Sequence, residues 1–394
     1  MKIAILTSGI LPVPAVQGGA VENLTDSYLA YNDQHHLHDI TIYSVWHPDI
    51  EKHPALQSKA NHYQFIKTSR PIDKLCKRIH HLLHQKDEYY HYTIDYYLTQ
   101  AIKHIKHEHY DAIIIENRPG YALKLKELTQ TPLIYHLHNE KLSTAVDQAQ
   151  AIYDAATTII TVSDYITNRV RTIHINDTKC VTVYNGIDLS TFNRAQADKP
   201  ALSFAPDDFV MVFSGRMTQE KGIMQLIEAM NHLRDYPNIK LMVIGSTFFA
   251  NAANDDDFTR ELRAKAKPLK DRIIFTGFIP YHEMPTYLAA AHVAIIPSVW
   301  DDPFPTTVLE AQAMGLPIIS TRRGGIPEEV TPQNALLLTT DDTFVQQLTD
   351  TILDLYHHPE KRQAMSTASL ENSKYYDHIR YAEDFFNAIA QCNK

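Results

Sequence analysis

The sequence predicts an α/β protein with two similar domains facing each other across a cleft. Short apolar runs, rich in β-branched residues, alternate with segments that have helical spacing, which is typical of parallel sheets. The alternation stops in a polar stretch and then begins again, and 394 residues are enough for two domains. Polar residues cluster where the apolar runs end, and ligands bind at that edge of open α/β sheets.

Composition argues against a nucleic-acid-binding protein, a cysteine metal site and a membrane-spanning protein. A net charge of −9 argues against a nucleic-acid partner. Cys76, Cys180 and Cys392 are far apart and lack metal-ligand spacing, which fits a reduced setting. No stretch approaches the ~20 apolar residues of a membrane span. The first residues could imitate a signal peptide, but Lys2 and the turn residues that follow favour a first strand.

That first strand is expected at 3–6, with a loop after it and a helix over 20–31. Gly18 and Gly19 precede the helix. Glycines at such a position let the backbone approach a phosphate or sugar. A plain tight turn is the alternative.

The segment 51–109 is the least informative part of the chain. It follows a second strand at 40–45, and its 67–109 portion has eight Lys or Arg against five Asp or Glu in a chain that is acidic overall. A basic amphipathic stretch can lie on an anionic membrane surface. A solvated helix face is the favoured alternative.

Four further apolar runs predict strands, at 111–116, 133–137, 158–162 and 181–184. Polar residues follow each one, and on a parallel sheet they would share one edge. His138, with Asn139 and Glu140 beside it, is a candidate functional residue on this edge. A histidine with a purely structural hydrogen bond is the alternative.

A polar stretch at 191–208 predicts a linker, after which a strand at 209–213 and a helix at 223–233 restart the alternation. The loop between them carries Arg216 and Lys221. Two cations before a helix N-terminus suit a diphosphate. A random pair of surface cations is the alternative.

The segment 291–325 combines a strand at 292–296, a polar loop, a helix at 306–314 and a second strand at 316–321. Asp302 lies in the loop and Glu310 about one turn into the helix. The helix N-terminus favours an anion, and the two carboxylates suit hydroxyl groups. Asp302 as a simple helix cap and Glu310 as a solvated residue are the alternatives.

The resulting domain prediction has four parts. Residues 1–190 form the first Rossmann-like domain, and 191–208 form the linker. A second Rossmann-like domain at 209–375 binds a sugar nucleotide. The aromatic segment 376–394 is expected to be a helix that packs back across the domains.

Taken together, four motifs resemble the retaining glycosyltransferases of the GT-B fold, family 4, also called glycosyl transferases group 1. They are, in order, Gly18-Gly19 before a helix, the segment 183–188, the loop 214–222 and the pair Asp302 and Glu310, which resembles the family's E-x7-E element. One departure is that Asp302 stands where the family has Glu, so its carboxylate is one methylene shorter.

The resemblance implies roles for these residues. Glu310 would bind the ribose and Asp302 the donor sugar, while Arg216 and Lys221 would hold the diphosphate. His138 would lie near the reacting carbon. Other donor-binding positions, several of them through the main chain, would be Gly18, Gly19, Gly215, Phe304, Thr306 and Thr307.

The predicted function is transfer of a sugar from a nucleotide-diphosphate donor, UDP by family frequency, to a saccharide, lipid-linked or protein-linked acceptor. No cofactor or metal is expected: the nucleotide sugar is a co-substrate, and no DxD-type site fits. The expected location is cytoplasmic or peripheral at the inner membrane face. A sugar-nucleotide epimerase of the same fold and a non-catalytic sugar-nucleotide-binding protein remain as alternatives.

Overall fold

The computed structural model describes residues 1–68, 92–198, 202, 204–245 and 257–390 of the chain. These residues form two compact units. Unit 1 comprises Met1–Tyr184 together with the segment from Ile379, and unit 2 comprises Asn185–His378. Each unit contains one parallel sheet with helices, which confirms the predicted α/β class and the restart of the alternation.

Unit 1 has a seven-stranded sheet in the order β3-β2-β1-β4-β5-β6-β7, and all the neighbouring strands are parallel. Its strands are β1 (Lys2–Leu6), β2 (Asp39–Val45), β3 (Asn61–Ile66), β4 (Ala112–Glu116), β5 (Leu133–Leu137), β6 (Thr158–Thr161) and β7 (Cys180–Thr182). Its helices are α1 (Ala20–His35), α2 (Tyr92–Ile105), α3 (Tyr121–Leu125), α4 (Ala149–Ala155) and α5 (Asp164–Arg171).

Unit 2 has a six-stranded parallel sheet in the order β10-β9-β8-β11-β12-β13. Its strands are β8 (Phe209–Ser214), β9 (Ile239–Ile244), β10 (Ile273–Gly277), β11 (Val293–Ile296), β12 (Ile318–Thr321) and β13 (Ala335–Leu338). Its helices are α6 (Ile223–His232), α7 (Asp257–Ala266), α8 (Met284–Leu288), α9 (Thr306–Ala313), α10 (Ile326–Glu329), α11 (Phe344–His357) and α12 (Pro359–Ser373).

The apolar composition of the central strands explains why they form buried strands of a parallel sheet. Strands of a parallel sheet are covered on both faces, so they read as continuous apolar runs. The residues of β4 and β11 are all buried. β3 has no such run, because three of its six residues, Asn61, His62 and Gln64, are polar, and this edge strand was not predicted.

One part of the sequence prediction falls mostly outside the described residues, and another differs from the structure. Most of the basic portion 67–109 lies outside the described residues, which end at 68 and resume at 92. The described part of the stretch expected as a linker belongs to unit 2, where Phe192 is buried beside Tyr281.

The last helix, α13 (His378–Ala390), begins two residues later than the sequence predicts. From Ile379 it belongs to unit 1. Its buried face packs on the core of that unit, where the ring of Phe385 stacks on Tyr28 of α1 at 4.2 Å between centroids. Among the described helices, none has both the length and the apolar character needed to cross a bilayer.

This packing predicts the effect of Phe385→Ala. The substitution removes a fully buried ring and leaves a cavity, so it should lower the free energy of unfolding of unit 1 by about 3–5 kcal/mol. Trp46 is in unit 1 and Trp300 in unit 2, so urea unfolding followed by fluorescence in a Trp300→Phe background reports on unit 1 alone. The matched control is Asn387→Ala, an exposed position on the same helix, and an equal loss in both variants would contradict the assigned packing.

Candidate active site

The candidate site of unit 2 lies at the carboxyl ends of β8 and β11. These neighbouring strands are the point where the strand order reverses, since β9 and β10 lie on one side and β12 and β13 on the other. Crevices at such a point bind ligands in open α/β sheets. The sequence places its two charged motifs directly after these two strands.

The loop after β8 carries the predicted cations. It runs from Gly215 to Gly222, where α6 begins. Gly222 has a φ of +69°, and a Cβ there would lie 1.8 Å from the carbonyl oxygen of Pro297, so only glycine fits. The N–H of Val299 also donates to the carbonyl of Glu220 at 2.9 Å. These contacts hold the loop against the end of β11.

Lys221 and Asp302 form an ion pair across the two loops, with the lysine Nζ donating to Asp302 Oδ2. Asp302 is 5% exposed, and Ser298 Oγ lies 3.4 Å from the same carboxylate oxygen. The Nζ of Lys221 is also 5.8 Å from the centre of the Trp300 ring. The two residues are 81 positions apart in sequence, so the sheet brings the predicted site residues together.

Asp302 is not a helix cap. Pro305 occupies the N-cap position of α9, and no side chain caps this helix. Thr306 and Thr307 form the first turn, and both are only partly buried. Phe304 is buried and its carbonyl accepts a hydrogen bond from Asn185 Nδ2 at 3.1 Å. The N-terminus of α9 therefore keeps the anion-favouring dipole that the sequence predicts.

Arg216 differs from Lys221 in its surroundings. Its side chain is exposed, and the guanidinium makes no hydrogen bond or ion pair with any residue in the described part of the chain. Gly215, just before it, has a φ of +148°, and a Cβ there would meet nothing within 4 Å. The loop thus presents an unpaired cation beside an open stretch of backbone.

Glu310 is not the solvated helix residue that the alternative interpretation required. It is 4% exposed, and burial raises the pKa of its carboxyl group to about 7, against a smaller opposing effect of the hydrogen bond with Thr306. A buried acid that titrates near neutrality is a common feature of functional sites.

Sequence reasoning missed Glu329, at the end of α10. Its carboxyl group is fully buried, and neither oxygen has a hydrogen-bond partner among the described residues. Burial, followed by the charge of Asp302, raises its pKa well above the usual range. Glu328-Glu329 reads in sequence as an ordinary acidic first turn, so no local signal distinguishes it.

The predicted residues of unit 1 lie at the carboxyl ends of β1 and β5. Gly18 and Gly19 have φ values of +73° and +108° and precede α1. A Cβ on Gly19 would lie 2.2 Å from Oε2 of Glu22, so the side chain of this glutamate closes over the glycine. Burial raises the pKa of Glu22 to about 7.

His138 belongs to a buried cluster that sequence reasoning missed. Its Nε2 lies 3.3 Å from Nδ1 of His136, and both rings face the carboxylate of Glu116. Burial, followed by the neighbouring His136, lowers the pKa of His138 to about 4. Burial acts to raise the pKa of Glu116, but the two imidazoles outweigh it and hold that pKa well below its usual range.

The expected neighbours of His138 have other contacts. Asn139 Nδ2 and the N–H of His138 both donate to Asn117 Oδ1. One oxygen of Glu140 is buried without a partner among the described residues. The structure therefore brings Lys221 into contact with Asp302, and His138 into contact with Glu116. Arg216 lies in the same loop as Lys221, and Glu310 lies in α9, the helix that follows the loop of Asp302.

Two units, each with one parallel sheet and flanking helices, give this chain the GT-B fold, which its solved structural neighbours share. Two family models match the chain. Residues 36–191 match Glycosyltransferase Family 4, and residues 195–371 match Glycosyl transferases group 1. The chain belongs to this family of glycosyltransferases, which confirms the resemblance stated from the sequence.

Similarity to individual proteins covers between about half and nearly all of the chain. Spore coat protein SA of Bacillus subtilis is 26% identical over 388 residues, covering 94% of this chain and 93% of that protein. The lipopolysaccharide 1,2-N-acetylglucosaminetransferase of Salmonella typhimurium is 27% identical over 191 residues, covering 47% of this chain and 50% of its own. HepE of Anabaena, solved in complex with UDP-glucose, has a TM-score of 0.72 at 18% identity and covers 99% of this chain and 100% of its own. The solved structure shares the fold.

Proposed function

We propose that this glycosyltransferase transfers a sugar, with retention of anomeric configuration, from a nucleotide diphosphate donor to a saccharide or glycoconjugate acceptor. The observation that carries the proposal is the meeting of the loop after β8 with the loop after β11 in unit 2. One loop supplies Arg216 and Lys221, and the other supplies Asp302 and the uncapped N-terminus of α9.

The diphosphate binds between the cations and the helix. Arg216 is exposed and free of described partners, so its five donors are available to phosphate oxygens. Lys221 is held near the same place by Asp302. As the glycosyl bond breaks, negative charge develops on the leaving phosphate oxygen, and these two cations with the helix dipole stabilise it. This arrangement needs no metal at the diphosphate.

The acids bind hydroxyl groups. Glu310 accepts hydrogen bonds from the ribose, and Asp302 contacts the donor sugar through the carboxylate oxygen that Lys221 does not occupy. The backbone of Gly215, Phe304, Thr306 and Thr307 lines the same region. Because Asp302 is shorter than the family's glutamate and is paired with a lysine, its contact to the sugar should be more constrained.

Unit 1 supplies the acceptor side. Gly18 and Gly19 let backbone approach the substrate, and His138 lies near the reacting carbon, as the family resemblance implies. Transfer occurs on the front face, where the donor phosphate helps to deprotonate the acceptor hydroxyl. A neutral His138 fits this mechanism, since its lowered pKa keeps it uncharged at pH 7.

The names of relatives support the substrate class. UDP-glucose occupies HepE of Anabaena, which supports a UDP-sugar donor. A spore coat protein and a lipopolysaccharide transferase among the relatives support a role in building cell-surface polysaccharide or glycoconjugate.

Removing either cation should lower the transfer rate. Arg216→Ala and Lys221→Ala should each reduce kcat/KM by about 10²–10³-fold, in the range found when a preorganised charge-stabilising group is lost. The donor is first found from a panel of sugar nucleotides by the rise in melting temperature that ligand binding causes. Its turnover is then measured without added Mg²⁺, and the anomeric configuration of the product is read by NMR.

The matched control is Arg234→Ala. Arg234 is exposed and precedes β9 at the opposite edge of the sheet. Among the described residues, its side chain hydrogen bonds only to the carbonyl of Asn231, at the end of the preceding helix. Unchanged transfer by both site variants would reject the assigned role of the loop. Conversion of the donor to an epimer without an acceptor would favour the epimerase, and binding without turnover would favour the non-catalytic alternative.

The pKa of Glu310 predicts a pH dependence of donor binding. With a pKa of about 7, the carboxylate that accepts ribose hydroxyls is about nine-tenths ionised at pH 8 and about one-tenth ionised at pH 6. Donor affinity should therefore fall up to about tenfold between pH 8 and pH 6, measured by calorimetry. Glu310→Gln should bind more weakly and without this dependence, whereas a wild-type profile that is flat would contradict the proposed contact.

A further inference from the structure

Three potential metal-ligating side chains meet in unit 1, at the carboxyl ends of two neighbouring strands. Glu116 ends β4, and His136 is its register partner on the neighbouring strand β5. His138 is two positions further along the chain, and alternate residues of an extended chain point to the same side. Side-chain exposure is 1%, 0% and 6% for Glu116, His136 and His138.

The three facing atoms form a compact triangle. His136 Nδ1 is 3.0 Å from Glu116 Oε2, His138 Nε2 is 3.5 Å from the same oxygen, and the two nitrogens are 3.3 Å apart. A tetrahedral zinc ion about 2.0–2.1 Å from each ligand separates its ligands by about 3.4 Å. The observed separations of 3.0, 3.3 and 3.5 Å are within about 0.4 Å of that value.

The hydrogen bonds of the cluster leave one oxygen unused. Glu116 Oε1 accepts from Tyr28 Oη at 2.7 Å and from His136 Nδ1 at 3.1 Å. Glu116 Oε2 is buried and receives no hydrogen bond in a favourable direction from any described residue, although two ring nitrogens are close. A buried carboxylate oxygen without a partner is costly, and a cation between the three atoms removes that cost.

We propose that Glu116 Oε2, His136 Nδ1 and His138 Nε2 bind one divalent transition-metal ion, with Zn²⁺ the best match. The metal displaces the proton that His136 Nδ1 otherwise donates to Glu116 Oε1. Two imidazoles and a carboxylate are ligands that zinc accepts, whereas Mg²⁺ and Ca²⁺ prefer oxygen alone. Tyr28, which donates to the other carboxylate oxygen, orients the ligand from outside. The fourth position is left for water or a small anion.

The competing arrangement is a metal-free cluster in which hydrogen bonds alone hold the two histidines on the glutamate. His136 Nε2 has no hydrogen-bond partner among the described residues in either arrangement, so it does not discriminate between them. The metal proposal shares His138 with the proposed transfer reaction, but its test measures bound metal and not turnover, so failure of one proposal is distinguishable from failure of the other.

The experiment uses the full chain, treated with a chelator, dialysed and then reloaded with Zn²⁺ or Co²⁺. We expect one tightly held zinc per chain by elemental analysis. Cobalt should give the strong visible absorption of a four- or five-coordinate site, and zinc should abolish it. Glu116→Gln keeps the shape of the side chain and should weaken binding at least about tenfold, as even loss of an outer partner does.

The matched control is Asp39→Asn, which removes the carboxylate of an exposed pair with His62, 3.2 Å from Nε2 to Oδ1, and leaves all 22 histidines in place. Circular dichroism establishes that both variants are folded, and His138→Gln repeats the test if Glu116→Gln is not. Absence of retained metal, a weak octahedral cobalt spectrum, or equal binding by the site variants and wild type would overturn the proposal in favour of the hydrogen-bonded cluster.

Discussion

The parallel pairing of β8 with β11 is the constraint on which the donor site of unit 2 depends. Parallel neighbours bring their carboxyl ends to one edge of a sheet, so the loops that follow them meet however far apart they are in sequence. The ion pair between Lys221 and Asp302 spans 81 positions and exists only because of that pairing. The left-handed Gly222 and its contact with Pro297 hold the loop where the pair can form.

Both units bury ionisable groups at one edge of a parallel sheet. Burial raises the pKa of Glu310 and of Glu22 to about 7. In the cluster of unit 1, the two neighbouring imidazoles outweigh burial and hold the pKa of Glu116 well below its usual range. The result is a set of groups whose charge depends on their partners, so that a bound ligand can change it.

The sequence predicted the features that depend on local composition and on where strands end. The apolar runs located most of the strands, and the position of Lys221 and Asp302 after two of them predicted a shared site. It did not predict the cluster around His138. Strand register decides that Glu116 faces His136, and register is a tertiary property that a single sequence does not show. Glu329 was missed for a related reason, because its burial depends on how α10 packs and not on its neighbours in the chain.

The central claim is that the loop after β8 holds a diphosphate, and calorimetric titration of matched pairs tests it most directly. Uridine is compared with UDP, and guanosine and adenosine with their diphosphates, on the same protein. Two charge-assisted contacts of about 1.5–3 kcal/mol each predict that the preferred diphosphate binds at least about 100-fold tighter than its nucleoside. Equal affinities within every pair would show that Arg216 and Lys221 do not hold the phosphates, and the account of unit 2 would be wrong.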